Sequence, residues 1–520
     1  MSTAVAAGSE GAVAAGLRVA ELGGNAVDVA VSTAVTAMVS EILMCSLGGS
    51  AFVMIHIPDR VSELIEGADA MPGLGRRGPA PAPCWRSVHV PWGEGVEVMA
   101  GHGAVAVPGA LAALETAWQR HGGLPWRELV APAHELAKAG VPATRATVEW
   151  LHTAGDALFG HQAESRACFF PDGPEPPQVG ALMRLPDLAD ALDYIAHEGA
   201  RAFYEGDIAA LFAREMGANG GSLGRADMSA YRAEVWAPLA LSSCGFELAL
   251  TPPPAADGAA AGALIALLQS GEEARTDAKR ALDQARAQAR VVRAQARASH
   301  EQVVDRQHGA HADADALLYS ELLAGYARAL RSPNSVHISV VTGDGCAVAI
   351  TAGMGHGAGI TVPGTGIACN DSVGQLVSGG SSEAASELRA GTRLGAAVSP
   401  VIAWHPRDGR AVALGASGPS RPSCAVAQAW TRYALEGMSF EDAVAAPRLR
   451  VEPSAEGVRV HCEPGVEVGL LDASMIVCPF EQIHRFFGGV RLAARDHQGR
   501  LYAVIDPRLH GVGRVWSPRA

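Results

Sequence analysis

A polar pair, Asn334 and Ser335, stands directly before an apolar run in the middle of this 520-residue chain. Residues 334–345 read NSVHISVVTGDG, and their β-branched side chains predict a strand that begins at Ser335. A serine is a weak nucleophile without a base beside it, but cleavage of the preceding peptide bond would free its own α-amine as that base. The pattern therefore predicts a buried cleavage site with Ser335 as nucleophile; a solvent-facing strand start is the competing interpretation.

Other segments of the chain resemble those of the γ-glutamyltransferases, which are cut before a catalytic threonine. In chain order the resembling runs are ELGGNAVD at 21–28, LGGSAFVM at 47–54, NGGSL at 219–223, DMSAY at 227–231, TPPP at 251–254 and DPR at 506–508. They keep the order and approximate spacing of that family over nearly the whole chain. Ser335 stands at the position of the family threonine, from which it differs by one methyl group.

The resemblance implies the four-layer αββα fold of the N-terminal nucleophile hydrolases. Periodicity alone predicts only an α/β protein. The resemblance also divides the chain into a large-subunit region, 1–334, and a small-subunit region, 335–520, which begins at the nucleophile. The two fragments would intertwine across one core as a heterodimer, and a dimer of such heterodimers is a further option. The active site would then lie between two central sheets, where the Ser335 strand starts.

The same resemblance assigns the chemistry to a few residues. Thr351 and Gly418 would join Ser335 in catalysis, with a backbone N–H of the Gly418 turn facing the developing oxyanion. His337 follows Ser335 by two residues, on the same face of the strand, and would assist processing together with Asn334. A core histidine and a structural strand threonine are the competing interpretations for His337 and Thr351.

The substrate-binding positions depart from the family pattern. By resemblance they are Asp69, Asn370, Gln375, Ala396, Ala397 and Pro419. Ala68 replaces the arginine that grips a glutamyl carboxylate, Gln375 replaces an acid, and Pro419 removes one oxyanion N–H. Sites that lose such polar partners discriminate strongly against the original substrate. The sequence therefore predicts poor handling of glutathione and other γ-glutamyl donors.

Three functions stay open at this point. The first is a self-processing hydrolase or acyltransferase that acts on a different small molecule. Its lost contacts are similar to those of unexported γ-glutamyltransferase-like proteins in actinobacterial pathways to alkylproline units of lincomycin-type antibiotics, which implies hydrolysis of a C–C or amide bond. The second is a true γ-glutamyltransferase or glutathione hydrolase. The third is an uncleaved binding protein of the same fold, favoured by the loss of a family hydroxyl at Gly353.

Composition restricts the partners. The net charge of −13 with dispersed acids argues against nucleic acid, and no 18-residue uncharged run predicts a membrane span. Nine cysteines without CxxC spacing give no zinc signature, and no glycine-rich turn precedes the helix that a phosphate cradle needs, so we expect neither metal nor cofactor. The first ten residues lack a basic segment before an apolar core, from which we expect a cytoplasmic protein.

One segment differs in character from the rest of the chain. Residues 271 to about 315 are dense in alanine, arginine, glutamine and acids, with opposite charges four residues apart. This pattern predicts one or two solvated helices. A nucleic-acid role for its arginines is disfavoured because acids interleave with them.

Overall fold

The structure is a computed structural model, and it mixes helices and sheets throughout the chain. It describes residues 1–76, 84–91, 95–253, 255–269, 277–298, 334–378, 388–418, 422–454 and 457–518. Of the sequence predictions, those for Pro419 and for residues 299–333 lie outside the described residues. None of the helices in these ranges is long and apolar enough to cross a membrane.

The helices and strands alternate over the first half of the chain, and strands dominate the second half. The helices are α1 (Glu10–Glu21), α2 (Ala26–Ser40), α3 (Ala110–His121), α4 (Trp126–Ala139), α5 (Arg145–Phe159), α6 (Ala163–Phe169), α7 (Pro186–Glu198), α8 (Arg201–Glu205), α9 (Asp207–Ala218), α10 (Arg225–Ala230), α11 (Ala256–Gln269), α12 (Asp277–Ala298), α13 (Ser372–Ser378), α14 (Pro422–Ala434) and α15 (Phe440–Ala445). The strands are β1 (Thr3–Ala7), β2 (Ser50–Ile57), β3 (Val61–Gly67), β4 (Arg86–Val90), β5 (Val96–Ala100), β6 (Val141–Pro142), β7 (Leu182–Met183), β8 (Glu234–Trp236), β9 (Leu239–Ser243), β10 (Phe246–Leu250), β11 (Ser335–Thr342), β12 (Ala347–Gly353), β13 (Thr361–Val362), β14 (Ile367–Ala368), β15 (Val401–Trp404), β16 (Ala411–Ser417), β17 (Leu449–Ser454), β18 (Gly457–Cys462), β19 (Met475–Pro479), β20 (Gly489–Arg495), β21 (Leu501–Ile505) and β22 (Val512–Trp516).

Two large sheets organise the described residues. One has seven strands in the order β22-β1-β11-β12-β2-β3-β8, and the other has six in the order β21-β20-β16-β15-β10-β9. In the larger sheet β1 pairs antiparallel with both β11 and β22. Strand β1, from the beginning of the chain, thus lies between β11 and β22, which both follow the predicted cleavage point, so the regions before and after that point share one sheet.

Apolar side chains fill the space between the two sheets. Phe52 and Val341 from the larger sheet join Ile402 and Ala493 from the smaller one in a single buried cluster. The outer face of the larger sheet packs on α1, α2 and α3, and the outer face of the smaller sheet packs on α11 and α14. Burial on both faces explains why the central strands are rich in β-branched residues rather than strictly alternating.

The GGNAVD run at 23–28 contains the start of helix α2. Asn25 caps α2, because its Oδ1 accepts hydrogen bonds from the backbone N–H groups of Val27 and Asp28. Asp28 Oδ2 in turn accepts from the Asn25 N–H, which completes a capping box. Asp28 also accepts from the Gly123 N–H, so the same carboxylate fastens the turn between α3 and α4. The motif thus fixes where a fully buried helix begins.

The prediction of solvated helices after residue 271 was wrong for α12. Ala281, Ala285 and Ala289 of this helix are buried against the β17–β18 hairpin. The buried side chain of Gln288 also exchanges hydrogen bonds with the backbone of β17. Small alanines four residues apart let the helix approach the sheet closely, while its charged residues occupy the other face. Residues 271–276 and 299–315 lie outside the described part.

Candidate active site

Ser335 opens β11 at the wall of a cavity of about 270 Å³. Ser335 is half-buried, and Asn334, on the other side of the predicted cleavage point, is buried and lines the same cavity. Gly418, at the end of β16, also lines it, with φ +122°, a conformation that favours glycine. The structure therefore brings together three of the residues predicted for processing and catalysis.

Two glycine positions bring the backbone close to the Asn334–Ser335 bond. Gly353 lies opposite Ser335 in the β11–β12 register, and a Cβ there would lie 3.1 Å from the Asn334 carbonyl oxygen. A Cβ on Gly49 would in turn lie 2.2 Å from the Gly353 carbonyl oxygen. The run LGGSAFVM thus has a packing reason for its second glycine, because β2 reaches the end of β12 only without a side chain there.

His337 lies between the sheets in a polar chain and makes no hydrogen bond to Ser335. Its Nδ1 is 2.8 Å from Thr351 Oγ1 and its Nε2 is 3.0 Å from Ser339 Oγ. Ser339 Oγ donates its proton to the Arg491 carbonyl, so it accepts from Nε2–H, and Thr351 donates to Nδ1. Burial first and the Arg491 guanidinium second lower the pKa of His337 to about 3. This histidine is neutral and structural in character.

The Arg491 guanidinium holds three parts of the cavity wall together. Its Nη1 donates to Ser417 Oγ at 2.9 Å and to the His337 carbonyl at 3.4 Å. Its Nη2 donates to the His510 carbonyl at 3.1 Å. The side chain is buried, and its remaining charge partner is Glu41, whose Oε2 is 4.0 Å from Nη2. Arg491 thereby fixes the turn before Gly418 relative to the strand of the nucleophile.

A second arginine in the wall, Arg508, belongs to a closed ionic cluster. It donates from Nη1 to Asp506 Oδ1 at 3.0 Å and from Nε to Glu463 Oε1 at 2.8 Å. Arg448 donates to the other oxygen of Asp506. Burial acts to raise the pKa of the Asp506 carboxyl, but Arg448 and Arg508 together hold it below its usual range. Arg508 is the residue of the DPR run that lines the cavity, and this cluster holds it in place.

Two further arginines line the cavity, although the chain as a whole is acidic. Arg145 begins α5 as an exposed side chain, and no described carboxylate pairs with it. Arg485 donates to Glu149 Oε2 at 2.7 Å, and Glu149 lines the same cavity. Sequence reasoning missed both residues, because exposed arginines carry no positional signal of their own.

Five of the predicted substrate-binding residues are absent from the lining of the Ser335 cavity, namely Asp69, Asn370, Gln375, Ala396 and Ala397, and Pro419 lies outside the described residues. Asn370 donates to the carbonyls of Gly48 and Ala106 and accepts from the Ala106 N–H, so its amide is occupied by backbone. Asp69 accepts from Ser372 Oγ at 2.6 Å. Burial raises the pKa of Asp69 to about 8. The Asn370 amide and Asp69 Oδ2 thus bond to the protein itself, and the substrate-binding role of these residues stays a prediction.

The other described members of that group are Gln375, Ala396 and Ala397, and none of the three lines the cavity. Gln375 Nε2 donates to Asp371 Oδ1 at 2.6 Å, and Asp371 also accepts from the His356 N–H. Ala396 is buried in the apolar cluster between the sheets, and Ala397 is half-buried beside it. Ala68, where the family has its arginine, is in that apolar cluster as well. Apolar packing thus replaces the polar clamp that the resemblance implies.

No group of three or more acidic, histidine or cysteine side chains that could hold a metal ion occurs in the described ranges.

The buried Glu41 was also missed by sequence reasoning. A carboxyl within the apolar run that follows α2 was a usable signal, because buried charges are rare unless they have a role.

Comparison with known proteins gives the family. The gamma-glutamyltranspeptidase family matches residues 12–516. The chain belongs to this family. It is 26% identical to the glutathione hydrolase proenzyme of Escherichia coli (strain K12), over 95% of this chain and 88% of that protein. It is 29% identical to the acylase ACY 1 proenzyme of Pseudomonas sp. (strain V22), over 85% of this chain and 81% of that protein.

Solved structures of the same fold cover nearly the whole chain. The cephalosporin acylase from Bacillus halodurans matches with a TM-score of 0.77 and 23% identity, over 100% of this chain and 96% of its own. LmbA2991HD matches with a TM-score of 0.74 and 20% identity, over 99% and 98%. The family and its acylase relatives are N-terminal nucleophile hydrolases, so this gamma-glutamyltranspeptidase family member is an enzyme of that class.

Proposed function

We propose that this hydrolase is made as one chain, cuts itself between Asn334 and Ser335, and then uses Ser335 as its N-terminal nucleophile. The observation that carries the proposal is the shared cavity of Asn334, Ser335 and Gly418 at the start of a central strand. The proenzyme names of the two relatives support the cut. The layers described above would then be the four-layer αββα fold, with 1–334 and 335–520 as its two fragments.

Cleavage proceeds by attack of the Ser335 hydroxyl on the Asn334 carbonyl carbon. The C–O bond forms, the C–N bond breaks, and the Asn334 acyl group moves to Ser335 Oγ as an ester. Water then hydrolyses the ester and releases the Asn334 carboxylate and the free hydroxyl. The product carries a new α-amine with a pKa of about 7.7–8.0, which suits a general base near neutral pH.

The mature enzyme repeats this chemistry on a substrate. Ser335 Oγ attacks the scissile carbonyl carbon while the Ser335 α-amine takes the hydroxyl proton. A backbone N–H in the Gly418 turn stabilises the oxyanion, and Arg491 positions that turn through Ser417. The amine returns the proton to the leaving group, and water hydrolyses the acyl enzyme. In this arrangement Thr351 positions the His337 ring by donating a hydrogen bond to its Nδ1.

The substrate is a small molecule without a γ-glutamyl group, and its scissile bond is an amide or C–C bond. Apolar packing at Ala68 and Ala396 supports this, as does the similarity to an acylase. Arg145, which lines the cavity and pairs with no carboxylate of the described residues, favours a substrate with a carboxylate, such as a keto acid. We place this reaction in the cytoplasm, in an actinobacterial pathway to alkylproline-type antibiotics, without metal or cofactor.

The test is a substrate panel with the purified protein and its Ser335→Ala variant. The panel holds γ-glutamyl-p-nitroanilide, glutaryl-p-nitroanilide and a 2,4-diketo acid, followed by absorbance and by NMR of the fragments. We expect hydrolysis of the glutaryl amide or of the diketo acid that is at least tenfold faster than that of the γ-glutamyl amide, and none with Ser335→Ala. Rapid turnover of the γ-glutamyl amide would instead favour a true γ-glutamyltransferase.

A further inference from the structure

Glu41 is a buried carboxyl that the chemistry above does not use. It follows α2 directly, is 4% exposed, and lines the cavity that holds Asn334 and Ser335. Its Oε1 receives no hydrogen bond from any described group, and its Oε2 lies 4.0 Å from Arg491 Nη2, beyond hydrogen-bond distance. Buried polar atoms are almost always paired, so an unpaired oxygen beside the cleavage point requires an explanation.

Gly8 keeps this carboxyl in place. A Cβ on Gly8 would lie 1.8 Å from Glu41 Oε2, so the carboxyl rests directly on the backbone of that residue. The backbone of Gly8 does not have a positive φ, so space rather than conformation requires the glycine. Gly8 follows β1, which pairs with β11. The strand of the nucleophile and the seat of the carboxyl therefore belong to the same sheet.

Three hydrogen bonds hold the Arg491 guanidinium at its distance from Glu41. Its guanidinium donates to Ser417, His337 and His510, and these three bonds fix its position. Burial raises the pKa of the Glu41 carboxyl, and the Arg491 charge together with hydrogen bonds from the Ser9 side chain and the Gly8 backbone opposes that shift. The other titratable neighbour, Cys45, is neutral, because burial raises the pKa of its thiol well above the ordinary value. The carboxyl is thus able to hold a proton closer to neutral pH than a solvated glutamate.

We propose that Glu41 exchanges protons with the Asn334–Ser335 peptide bond through water in this cavity, and that Gly8 and Arg491 position it. The inference rests on the self-cleavage proposed above. As the C–N bond breaks, the nitrogen takes a proton from Glu41, and the Glu41 carboxylate receives the proton that Ser335 Oγ releases on forming the ester. Glu41 ends in its starting state. A cavity of about 270 Å³ holds water easily, and one water extends the reach of a proton donor.

The experiment follows cleavage of the full chain after cell-free synthesis. Precursor pools of the wild type, Glu41→Gln, Glu41→Asp, Gly8→Ala and Glu115→Gln are chased at pH 6 to 9, and intact mass spectrometry measures conversion to two fragments. Glu115 is the matched control, because it is also a buried carboxyl whose pKa burial raises, but it does not line the cavity. Circular dichroism melting checks the fold of each variant.

We expect Glu41→Gln to cut about 100-fold more slowly, the usual effect of losing a general acid or base, with a flattened pH profile. Glu41→Asp should recover part of the rate with a shifted pH profile, Gly8→Ala should be slow, and Glu115→Gln should match the wild type. A Glu41→Gln rate equal to that of the wild type overturns the inference alone, and so does a slower rate with an unchanged pH profile. An uncut wild-type chain overturns the proposed function as well. If Glu41→Gln does not fold, the pH profile of Glu41→Asp decides, and an unshifted profile contradicts the inference.

Discussion

Two buried ionic clusters each place one arginine in the wall of the Ser335 cavity, and they differ in how completely they are paired. Arg508 makes hydrogen bonds of 2.8 to 3.0 Å to Glu463 and Asp506. Arg491 approaches its carboxylate, Glu41, only to 4.0 Å, and one oxygen of that carboxylate has no described partner. The charges of the first cluster hold the chain around Arg508 in the cavity wall. The second cluster leaves a carboxyl, that of Glu41, available to the cavity.

The difference teaches which buried charges belong to the scaffold. A buried ion pair tolerates desolvation only when further hydrogen bonds occupy its remaining atoms. Glu463 meets that condition, since it also accepts from the backbone N–H groups of Arg448 and His484. Glu41 meets it only in part, because its Oε1 has no hydrogen-bond partner among the described residues, so we ascribe a functional role to its place in the cavity wall. The same substitution in both clusters therefore separates the two roles.

The largest effect is expected for Glu463→Gln. Loss of this carboxylate leaves Arg508 without its bidentate partner in a buried site, which typically destabilises a protein by about 3–5 kcal/mol. Urea unfolding followed by circular dichroism measures the change. The control is Asp408→Asn, which breaks a more exposed pair with Arg410 and should change the free energy of unfolding by less than about 1 kcal/mol. Equal effects of the two variants would contradict the scaffold role of the cluster.

A second large effect is expected at Gly415, which lies opposite Arg491 in the β16–β20 register. A Cβ there would lie 2.2 Å from His337 Cε1. Gly415→Ala must displace the ring and break its bonds to Thr351 and Ser339, so we expect a loss of about 2–3 kcal/mol, in the upper part of the usual range for overpacking. The control is Gly217→Ala, because a Cβ there meets open space within a helix. Gly437→Ala is unsuitable because the φ of Gly437 is positive. A harmless Gly415→Ala would mean that His337 is loosely held.

The pH dependence of stability tests whether His337 is neutral. Its pKa is about 3 in the folded chain and about 6.5 when unfolded, so its contribution is complete above pH 6.5 and declines as pH falls. Between pH 6.5 and 5 we expect a loss of about 2 kcal/mol from this residue. Burial lowers the pKa of His56 to about 4, which adds in the same direction. His337→Gln should therefore weaken the acid dependence without abolishing it, and an unchanged slope would refute the assignment.

The smallest effect on stability is expected for Glu41→Gln, the counterpart of the Glu463 substitution. The carboxyl approaches Arg491 only to 4.0 Å and its Oε1 has no hydrogen-bond partner among the described residues, so replacing it by an amide of the same shape should change the free energy of unfolding by at most about 1 kcal/mol at pH 7. The same urea titrations measure it. A loss of 3 kcal/mol or more would place Glu41 with the scaffold, on the same footing as Glu463.

Much of the fold could be predicted from the sequence because local signals agree with the tertiary structure. The GGNAVD run contains its own helix cap at Asn25, and the apolar run after Ser335 forms the predicted strand. Resemblance added the family, which the match over residues 12–516 confirms. The role of Ser335 itself stays a prediction that geometry supports.

The arrangement of the site could be predicted only in part. By resemblance Asp69 and Asn370 bind the substrate near the nucleophile, but neither residue lines the Ser335 cavity, and their side chains bond to Ser372 and to backbone carbonyls. Glu41 and Arg491 are 450 residues apart in numbering and meet only after folding. Similarly, the alanine face of α12 was indistinguishable from a solvated one until its partner hairpin was known.

Intact mass spectrometry of the purified protein under denaturing conditions tests the central claim most directly. We predict two chains that meet between Asn334 and Ser335 for the wild type and for Ser335→Thr, and one intact chain for Ser335→Ala. A wild-type protein that stays whole, or a Ser335→Ala variant that is cut at the same bond, would contradict the assignment of Ser335 as the self-processing nucleophile.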